Sequence, residues 1–193
     1  MIKTKNNKLL NQKGFTATEL LISVVIGLLI LLIVSTVFIL NSRVIRKSNT
    51  KAELTQNVRI TNDLMAREIR QANDIVTVLP VDDSDPDLVT HELQFEDGHN
   101  TNQIQYIRYY LNGTDLMRQI NVYYFDSDPD TYVHWDDVDA FGAPESAILE
   151  DKLIGENFTT INYFGQNDVT VQLELEKSNE RVLIETIINP RNI

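Results

Sequence analysis

The chain has 193 residues, contains no cysteine and carries a net charge of −11 at pH 7. Without cysteine it can form neither disulfides nor thiolate metal sites, and its length suits one membrane segment plus one modest globular head. The negative charge is concentrated in residues 77–193, which hold 23 acidic and six basic side chains. Because phosphates are bound by clustered Lys and Arg, we expect no direct binding of nucleic acid by this head.

The first predicted element is an apolar helix that crosses a membrane. Residues 15–40 form a run of 26 whose only ionisable side chain is Glu19. As a helix this run would measure about 39 Å, which exceeds the roughly 30 Å hydrocarbon core of a bilayer. A buried helix or a cleaved secretory signal fits less well, because the run is too long for a head of this size to cover and no small-x-small site follows it. Basic residues flank both ends equally, so charge alone leaves the orientation open.

The start of this run carries a specific motif. The sequence Lys13-Gly14-Phe15-Thr16 follows a basic leader, and Glu19 stands fifth after the glycine. This motif resembles the N-terminal signature of type IV pilins and type II secretion pseudopilins. The chain departs from that pattern at Ala17 and Thr18, where the family usually has larger aliphatic residues. The later stretch 57–72, NVRITNDLMAREIRQA, is more loosely similar to the PulJ/PilW-type minor subunits.

The resemblance implies how the chain is processed and where it resides. A prepilin peptidase at the cytoplasmic face would cut after Gly14 and methylate the new amine of Phe15. The leader, residues 1–14, would then be cytoplasmic, and the single transmembrane helix, residues 15–40, would place the head outside the cytoplasmic (inner) membrane. From there the chain would enter a cell-surface or periplasmic filament.

The resemblance also implies a role for Glu19 and a set of partners. The Glu19 carboxylate would pair with the Phe15 amine of a neighbouring subunit and set the register of a filament. The implied partners are the prepilin peptidase, other pilin or pseudopilin subunits, a membrane assembly platform with its ATPase, and the lipid bilayer. The alternative for Glu19 is a carboxylate that only reaches the lipid headgroups.

Beyond the membrane, the helix is predicted to continue over residues 41–76. This stretch has no glycine or proline, and one stripe of apolar residues recurs at helical spacing. The stripe consists of Leu54, Val58, Met65, Ile69, Ala72 and Val76. We expect this half of the helix to pack against the head, residues 77–193.

After Pro80 the hydrophobic period changes to two, which predicts a mostly antiparallel sheet and an α+β, pilin-like fold. Hairpin turns are predicted at Asn112-Gly113 and at 178–180. The core-facing residues of one strand are expected to be Val169, Val171, Leu173 and Leu175. The predicted strands are 91–96, 103–111, 115–125, 158–164, 169–176 and 181–188.

The pentapeptide Asp-Ser-Asp-Pro-Asp occurs twice, at 83–87 and at 126–130. This spacing projects carboxylates along one side of a loop, so Asp126, Asp128 and Asp130 are candidate calcium ligands. Neither copy has the glycine and distant glutamate of an EF-hand loop, and a solvated acidic turn is the alternative. A calcium-stabilised loop would favour a second function, that of an adhesin or binding module displayed on the membrane or the filament.

No motif indicates an enzyme. The sequence lacks a nucleophile elbow, a phosphate loop and a dinucleotide-binding turn. Its three histidines, His91, His99 and His134, have no metal-ligand spacing. We therefore expect a structural subunit with no catalytic residues and with no cofactor other than calcium.

Overall fold

A computed structural model describes residues 14, 16–84, 90–99 and 103–191. The fold is α+β, as predicted, and the chain divides into two compact units, Met1–Arg46 and Lys47–Ile193. Within the described residues the elements are α1 (Ala17–Gln71), β1 (Leu93–Glu96), β2 (Tyr106–Asn112), β3 (Asp115–Phe125), β4 (Asp128–Val133), β5 (Glu145–Gly155), β6 (Phe158–Phe164), β7 (Val169–Lys177) and β8 (Glu180–Ile188).

Helix α1 is continuous over 55 residues but ends at Gln71, five residues before the predicted end. The backbone that follows Gln71 forms hydrogen bonds with strand β1. The N–H of Asn73 donates to the carbonyl of Glu96 at 3.2 Å, and the N–H of Val76 donates to the carbonyl of Gln94 at 2.9 Å. Val76 therefore lies in an extended segment, because these bonds replace the helical ones.

The stripe on α1 forms the centre of the core in the Lys47–Ile193 unit. The side chains of Leu54, Val58, Met65 and Ile69 are fully buried, as predicted. Both sheets contribute to the same cluster, so the helix packs against each of them. The sheet residues in this cluster include Leu93, Phe95, Ile107, Tyr109, Leu116, Phe158, Ile161, Tyr163, Val169, Val171, Leu173 and Leu175.

The strands form two antiparallel sheets. In the first, the order is β1-β2-β3-β4, and β5 also pairs with β3; in the second, the order is β6-β7-β8. The hairpin from β2 to β3 closes between Asn112 and Asp115, so its turn lies one residue later than predicted, with Gly113 at φ 66°. The β7–β8 turn has Ser178 and Asn179 at positive φ, which is the type I′ geometry that matches strand twist.

Two strands were not predicted from the sequence. Strand β4 begins inside the second acidic pentapeptide, where Asp128 pairs with Phe125 and the register then shifts. Strand β5 pairs only with β3 among the described residues, and its register shifts at two points. The shifts break the period of two, and most side chains of β5 are exposed, so its sequence does not alternate.

An ion pair links the helix to the first sheet within the same unit. The Nε of Arg118 on β3 donates to both carboxylate oxygens of Glu68 on α1 at 3.1 Å. The two side chains are only 15% and 14% exposed. The hydroxyl of Tyr109 also donates to Glu68, and Arg118 Nη1 reaches Glu150 of β5 at 3.1 Å. Strands β2, β3 and β5 thus each contribute a side chain to the network around Glu68 and Arg118.

The end of α1 is held by two close approaches. The N–H of Arg191 donates to the carbonyl of Arg70 at 3.1 Å, which satisfies one of the last helical carbonyls. At Gly98, a Cβ atom would stand 1.9 Å from the carbonyl oxygen of Gln71. Only glycine fits there, because the β1–β2 connection passes directly against the end of the helix.

Candidate functional site at the start of the helix

The first turn of α1 is closed by reciprocal hydrogen bonds between Thr16 and Glu19. The N–H of Glu19 donates to Thr16 Oγ1 at 3.2 Å. In return, the N–H and the hydroxyl of Thr16 each donate to Glu19 Oε2 at 2.9 Å. This arrangement is a capping box, which satisfies amide groups that have no partner inside the helix. A negative charge here also interacts favourably with the helix dipole.

The sequence reasoning missed the part that Thr16 plays. It assigned Glu19 to contacts between subunits and gave Thr16 no role. The signal was nevertheless present, because a Thr-x-x-Glu pattern directly before an apolar run marks the start of a helix. Glu19 therefore has a structural partner within its own chain.

The apolar half of the helix is long and apolar enough to cross a membrane. None of its most apolar stretch is buried within the structure. The exposed fractions of Leu21, Leu32 and Phe38, for example, are 65%, 66% and 71%. A surface of this kind suits an apolar environment such as lipid.

Hydroxyl groups inside this apolar run bond to the helix itself. Ser23 Oγ donates to the carbonyl of Glu19 at 2.8 Å, and Thr36 Oγ1 donates to the carbonyl of Leu32 at 2.9 Å. An unpaired hydroxyl would be costly in hydrocarbon. These internal bonds let both residues lie in an apolar environment.

The predicted cleavage site lies at the edge of the described residues. Gly14 is exposed, and no described atom lies within 4 Å of the position that a Cβ would occupy. Phe15, the predicted site of methylation, lies outside the described residues. Cleavage and methylation at this bond stay predictions.

Comparison of the chain with protein-family models, with curated proteins and with solved structures gave no match in any of the three. The architecture itself, one long apolar N-terminal helix followed by antiparallel sheets, is pilin-like.

The three candidate calcium ligands lie at the β3–β4 hairpin. Asp126 is in the turn, whereas Asp128 and Asp130 are on β4, and all three are exposed. Among the described residues, no group of three or more His, Asp or Glu side chains is placed to hold a metal ion. Residues two apart on a strand have Cα atoms nearly 7 Å apart, so an extended strand does not by itself bring their carboxylates together around one small cation. The calcium site stays a prediction without geometric support.

A cleft of about 540 Å³ opens beside this hairpin. One of its walls is Phe141, whose side chain is 92% exposed at the tip of the loop between β4 and β5. Asp139 shapes this loop, because its Oδ1 accepts the N–H groups of Phe141 at 2.7 Å and Gly142 at 3.0 Å. The cleft is lined by Phe125, Asp126, Ser127, Asp139, Phe141, Ala143 and Glu145.

Proposed function

We propose that this chain is a minor pilin or pseudopilin. It would be inserted in the cytoplasmic membrane, cut after Gly14, methylated at Phe15 and assembled through α1 into a type IV pilus-like or type II secretion filament. Its mechanism is association with other subunits, driven by an assembly platform and its ATPase. The observation that carries the proposal is a single carboxylate, Glu19, in the first turn of a helix whose next 21 residues are uncharged and, except for Gly27, exposed.

The capping box gives this proposal a physical starting point. Glu19 Oε2 accepts the N–H of Thr16, which is the peptide N–H directly after Phe15. Cleavage after Gly14 would convert the backbone nitrogen of Phe15, the residue before Thr16, into an ammonium group. The Glu19 carboxylate could then pair with the Phe15 ammonium group of its own chain or with that of a neighbouring subunit. Such pairing is strong because the surrounding medium has a low dielectric constant.

Lateral docking follows from the cost of leaving either charge alone. A carboxylate or an ammonium buried without its partner in an apolar filament core is strongly destabilising. A neighbouring subunit can satisfy both charges only in one register, because the next 21 residues offer no other ionisable group. The apolar helices would provide the contact area, and the charge pair would set their relative position along the filament axis.

The proposal is tested by processing in a cell that contains a prepilin peptidase. The full-length chain, expressed with and without the peptidase, is extracted from membranes and its N-terminal residue is determined. We expect the sequence to begin at Phe15 only when the peptidase is present. A Gly14→Val variant is the control, since a branched side chain at the cleavage site should block the cut. A parent chain that keeps its leader in the presence of the peptidase would contradict the proposal.

A second candidate function is that of an adhesin or binding module displayed on the membrane or on a filament. The cleft between the β3–β4 hairpin and Phe141 favours it, because one exposed aromatic ring, that of Phe141, and the half-buried ring of Phe125 lie beside carboxylates, which suits a ligand with apolar and cationic parts. Calcium binding by Asp126, Asp128 and Asp130 would be part of this function.

Thermal unfolding of the full-length chain across a calcium titration separates the metal-dependent form of this candidate from the first. A rise in melting temperature that is lost when the three aspartates are replaced by asparagine would support it. The same melting temperature up to millimolar calcium would exclude a calcium site of the affinity found in extracellular modules.

A further inference from the structure

Helix α1 carries a shallow groove near the beginning of the Lys47–Ile193 unit, on the side of the helix opposite the buried stripe. The groove has a volume of about 600 Å³, and Ala52 and Ile60 form an apolar part of its surface. The side chain of Ile60 is 59% exposed. Lys51 and Arg59 also line the groove, and among the described residues neither has a carboxylate partner. The groove is therefore apolar and basic.

Residues 125–145, which we call the tip, have the opposite charge. They contain seven acidic side chains and neither lysine nor arginine. The side chains of Val138 and Phe141 are 74% and 92% exposed, and Asp126 and Glu145 line the same cleft as Phe141. The tip therefore presents apolar side chains beside carboxylates, whereas the groove presents apolar side chains beside cations.

The tip and the groove are separated along the direction of α1. The carbonyl of Glu96 accepts the N–H of Asn73, which follows the end of the helix. The carboxylate of Glu96 is 3.3 Å from Nδ1 of His134 in the tip, so the tip begins near the level of the helix end. Thr55 in the middle of the groove lies 16 residues before the last helical residue, Gln71, which is about 24 Å of helix.

These two surfaces are complementary in both charge and polarity. We propose that the tip of one copy of this chain docks into the groove of a second copy, with the two α1 helices parallel and displaced along their axis. The Phe141 ring would lie against Ala52 and Ile60. The carboxylates of the tip would lie beside Lys51 and Arg59, whose guanidinium group can also stack on the ring.

Other pairings of the same two surfaces are unfavourable. A contact of groove with groove would bring Lys51 and Arg59 of one copy against the same cations of the other. A contact of tip with tip would bring seven carboxylates of each copy together. Juxtaposed like charges disfavour an interface, so the charges select the contact of tip with groove.

The contact extends the proposed function and rests on it for its geometry. Two copies in one bilayer lie at the same depth, so they are not displaced by the roughly 20 Å that the contact needs. Subunits stacked along a filament are displaced in this way while their helices stay parallel. The contact also joins different surfaces of the two copies, so the outer copies keep a free tip or a free groove and further copies can add.

Because the chain has no cysteine, the contact can be tested with single cysteines in the full-length protein in detergent micelles. Ser48→Cys places a thiol in the groove, and Ala140→Cys places one beside Phe141 without removing the ring. Asp63→Cys is the control, since it is exposed on α1 about 22 Å from Ser48. All three variants are labelled in mixtures with a short bifunctional thiol reagent.

We expect Ser48→Cys mixed with Ala140→Cys to cross-link at least about tenfold faster than Asp63→Cys mixed with Ala140→Cys, because docking raises the local concentration of the first pair. Equal rates, or faster cross-linking of the Asp63→Cys mixture, would overturn the proposal.

A mixture of two defective variants tests the same contact without cross-linking. Lys51→Glu/Arg59→Glu reverses the charge of the groove and leaves the tip intact. Phe141→Asp removes the exposed ring of the tip and leaves the groove intact. We expect each variant alone to associate at least about tenfold more weakly than the parent, as measured by sedimentation velocity in density-matched detergent.

The equimolar mixture should again form dimers, because the tip of the groove variant can dock into the groove of the tip variant. These dimers should not grow further, since the remaining tip and groove are both defective. The parent should instead form larger oligomers as its concentration rises. A mixture that associates no better than either variant alone would overturn the proposal, as would association of either variant at the level of the parent.

Failure of this inference can be told apart from failure of the proposed function. Both tests use the chain in detergent and need neither the peptidase nor a filament, so docking can succeed in a chain that keeps its leader. Conversely, a chain that is cut after Gly14 but does not dock would contradict only the contact between tip and groove.

Discussion

Thr16 and Glu19 each accept a hydrogen bond from the backbone N–H of the other, at 3.2 and 2.9 Å. This pair gives Glu19 a place in the folded chain before any neighbour is present. It also separates two properties of the side chain. The oxygen that caps the helix is needed for the first turn, whereas the negative charge is what a second subunit would recognise. Several variants distinguish these properties.

Loss of the Thr16 hydroxyl should weaken only the first turn. Thr16→Val keeps the shape of the side chain but removes the acceptor for the Glu19 N–H, and the loss of such a cap costs about 1 kcal/mol. We expect hydrogen exchange of the amides of the first turn in micelles to accelerate about fivefold, with later turns unchanged. Thr16→Ser, which keeps the hydroxyl, should exchange like the parent. Uniform acceleration along the helix would argue against a local cap.

The ion pair between Glu68 and Arg118 should be costly to break from one side. Among the described residues, Arg118→Leu leaves the carboxylate of Glu68, which is 14% exposed, with only the Tyr109 hydroxyl as a strong donor, and we expect a loss of about 2–4 kcal/mol in the free energy of unfolding. The double variant Glu68→Leu/Arg118→Leu removes both charges and should recover most of this loss. Urea unfolding followed by tryptophan fluorescence measures both, since the chain has one tryptophan. A double variant less stable than Arg118→Leu would contradict this account.

Alkaline pH should destabilise the head through its buried tyrosines. Burial raises the pKa of the Tyr106 hydroxyl to about 12 and raises the pKa of Tyr163 well above its ordinary value. The unfolded chain releases these protons near pH 10. The contribution of the two neutral hydroxyls to stability is therefore fully present below about pH 10 and declines as the pH rises through the folded-state pKa of each, which is about 12 for Tyr106. We expect the melting temperature to fall over this range, together with a late rise in tyrosinate absorbance.

Tyr163 provides a specific variant for that measurement. Its hydroxyl is buried and has no hydrogen-bond partner among the described residues. Tyr163→Phe should leave the protein as stable as the parent or up to about 1 kcal/mol more stable, and should reduce its loss of stability above pH 10. Tyr109→Phe is the matched control, because it removes a hydrogen bond to Glu68 and should be destabilising. Destabilisation by Tyr163→Phe equal to that of Tyr109→Phe would reject this interpretation.

The close approach at Gly98 should not tolerate a side chain. A Cβ there would meet the carbonyl oxygen of Gln71 at 1.9 Å, and a backbone atom cannot move aside as a flexible side chain can. We expect Gly98→Ala to cost about 1–3 kcal/mol in the free energy of unfolding. The exposed neighbour His99, replaced by alanine, should change stability by less than about 0.5 kcal/mol. Equal effects of the two substitutions would mean that the connection simply relaxes away from the helix.

The regular elements were predictable because their side chains follow the period of their backbone. The core stripe of α1 from Leu54 to Ile69 and the alternation of β7 from Val169 to Leu175 are both confirmed. In each element the predicted core face is buried and the other face is more exposed, with Thr170 of β7 as a buried exception, so the hydrophobic residues recur at the period of the backbone. The two halves of α1 were likewise predicted as one helix, since neither half contains a proline.

Strands β4 and β5 and the end of α1 were not predicted correctly, because no regular hydrophobic period marks them. Strand β5 is exposed on both faces and its register shifts twice, so no burial pattern marks it. Strand β4 starts with Asp128-Pro129-Asp130, which has the composition of a turn, and proline is accepted because β3 is the only strand paired with β4 in the described part of the chain. The helix ends at Gln71 because strand β1 competes for the backbone that follows, and the sequence of the helix holds no information on that partner.

Incorporation of a Glu19→Gln variant into filaments tests the central claim most directly. The amide oxygen of glutamine can still accept the Thr16 N–H, so the capping box remains, but the charge is gone. In cells that carry the assembly machinery, the fraction of the chain in sheared filaments is compared with that of the parent after both are shown to be processed equally. We predict that incorporation of Glu19→Gln falls at least about tenfold, because the Phe15 amine of the neighbour is left without a counter-charge. Incorporation of the processed variant at the level of the parent would contradict the account, because Glu19 would then serve only to cap the helix.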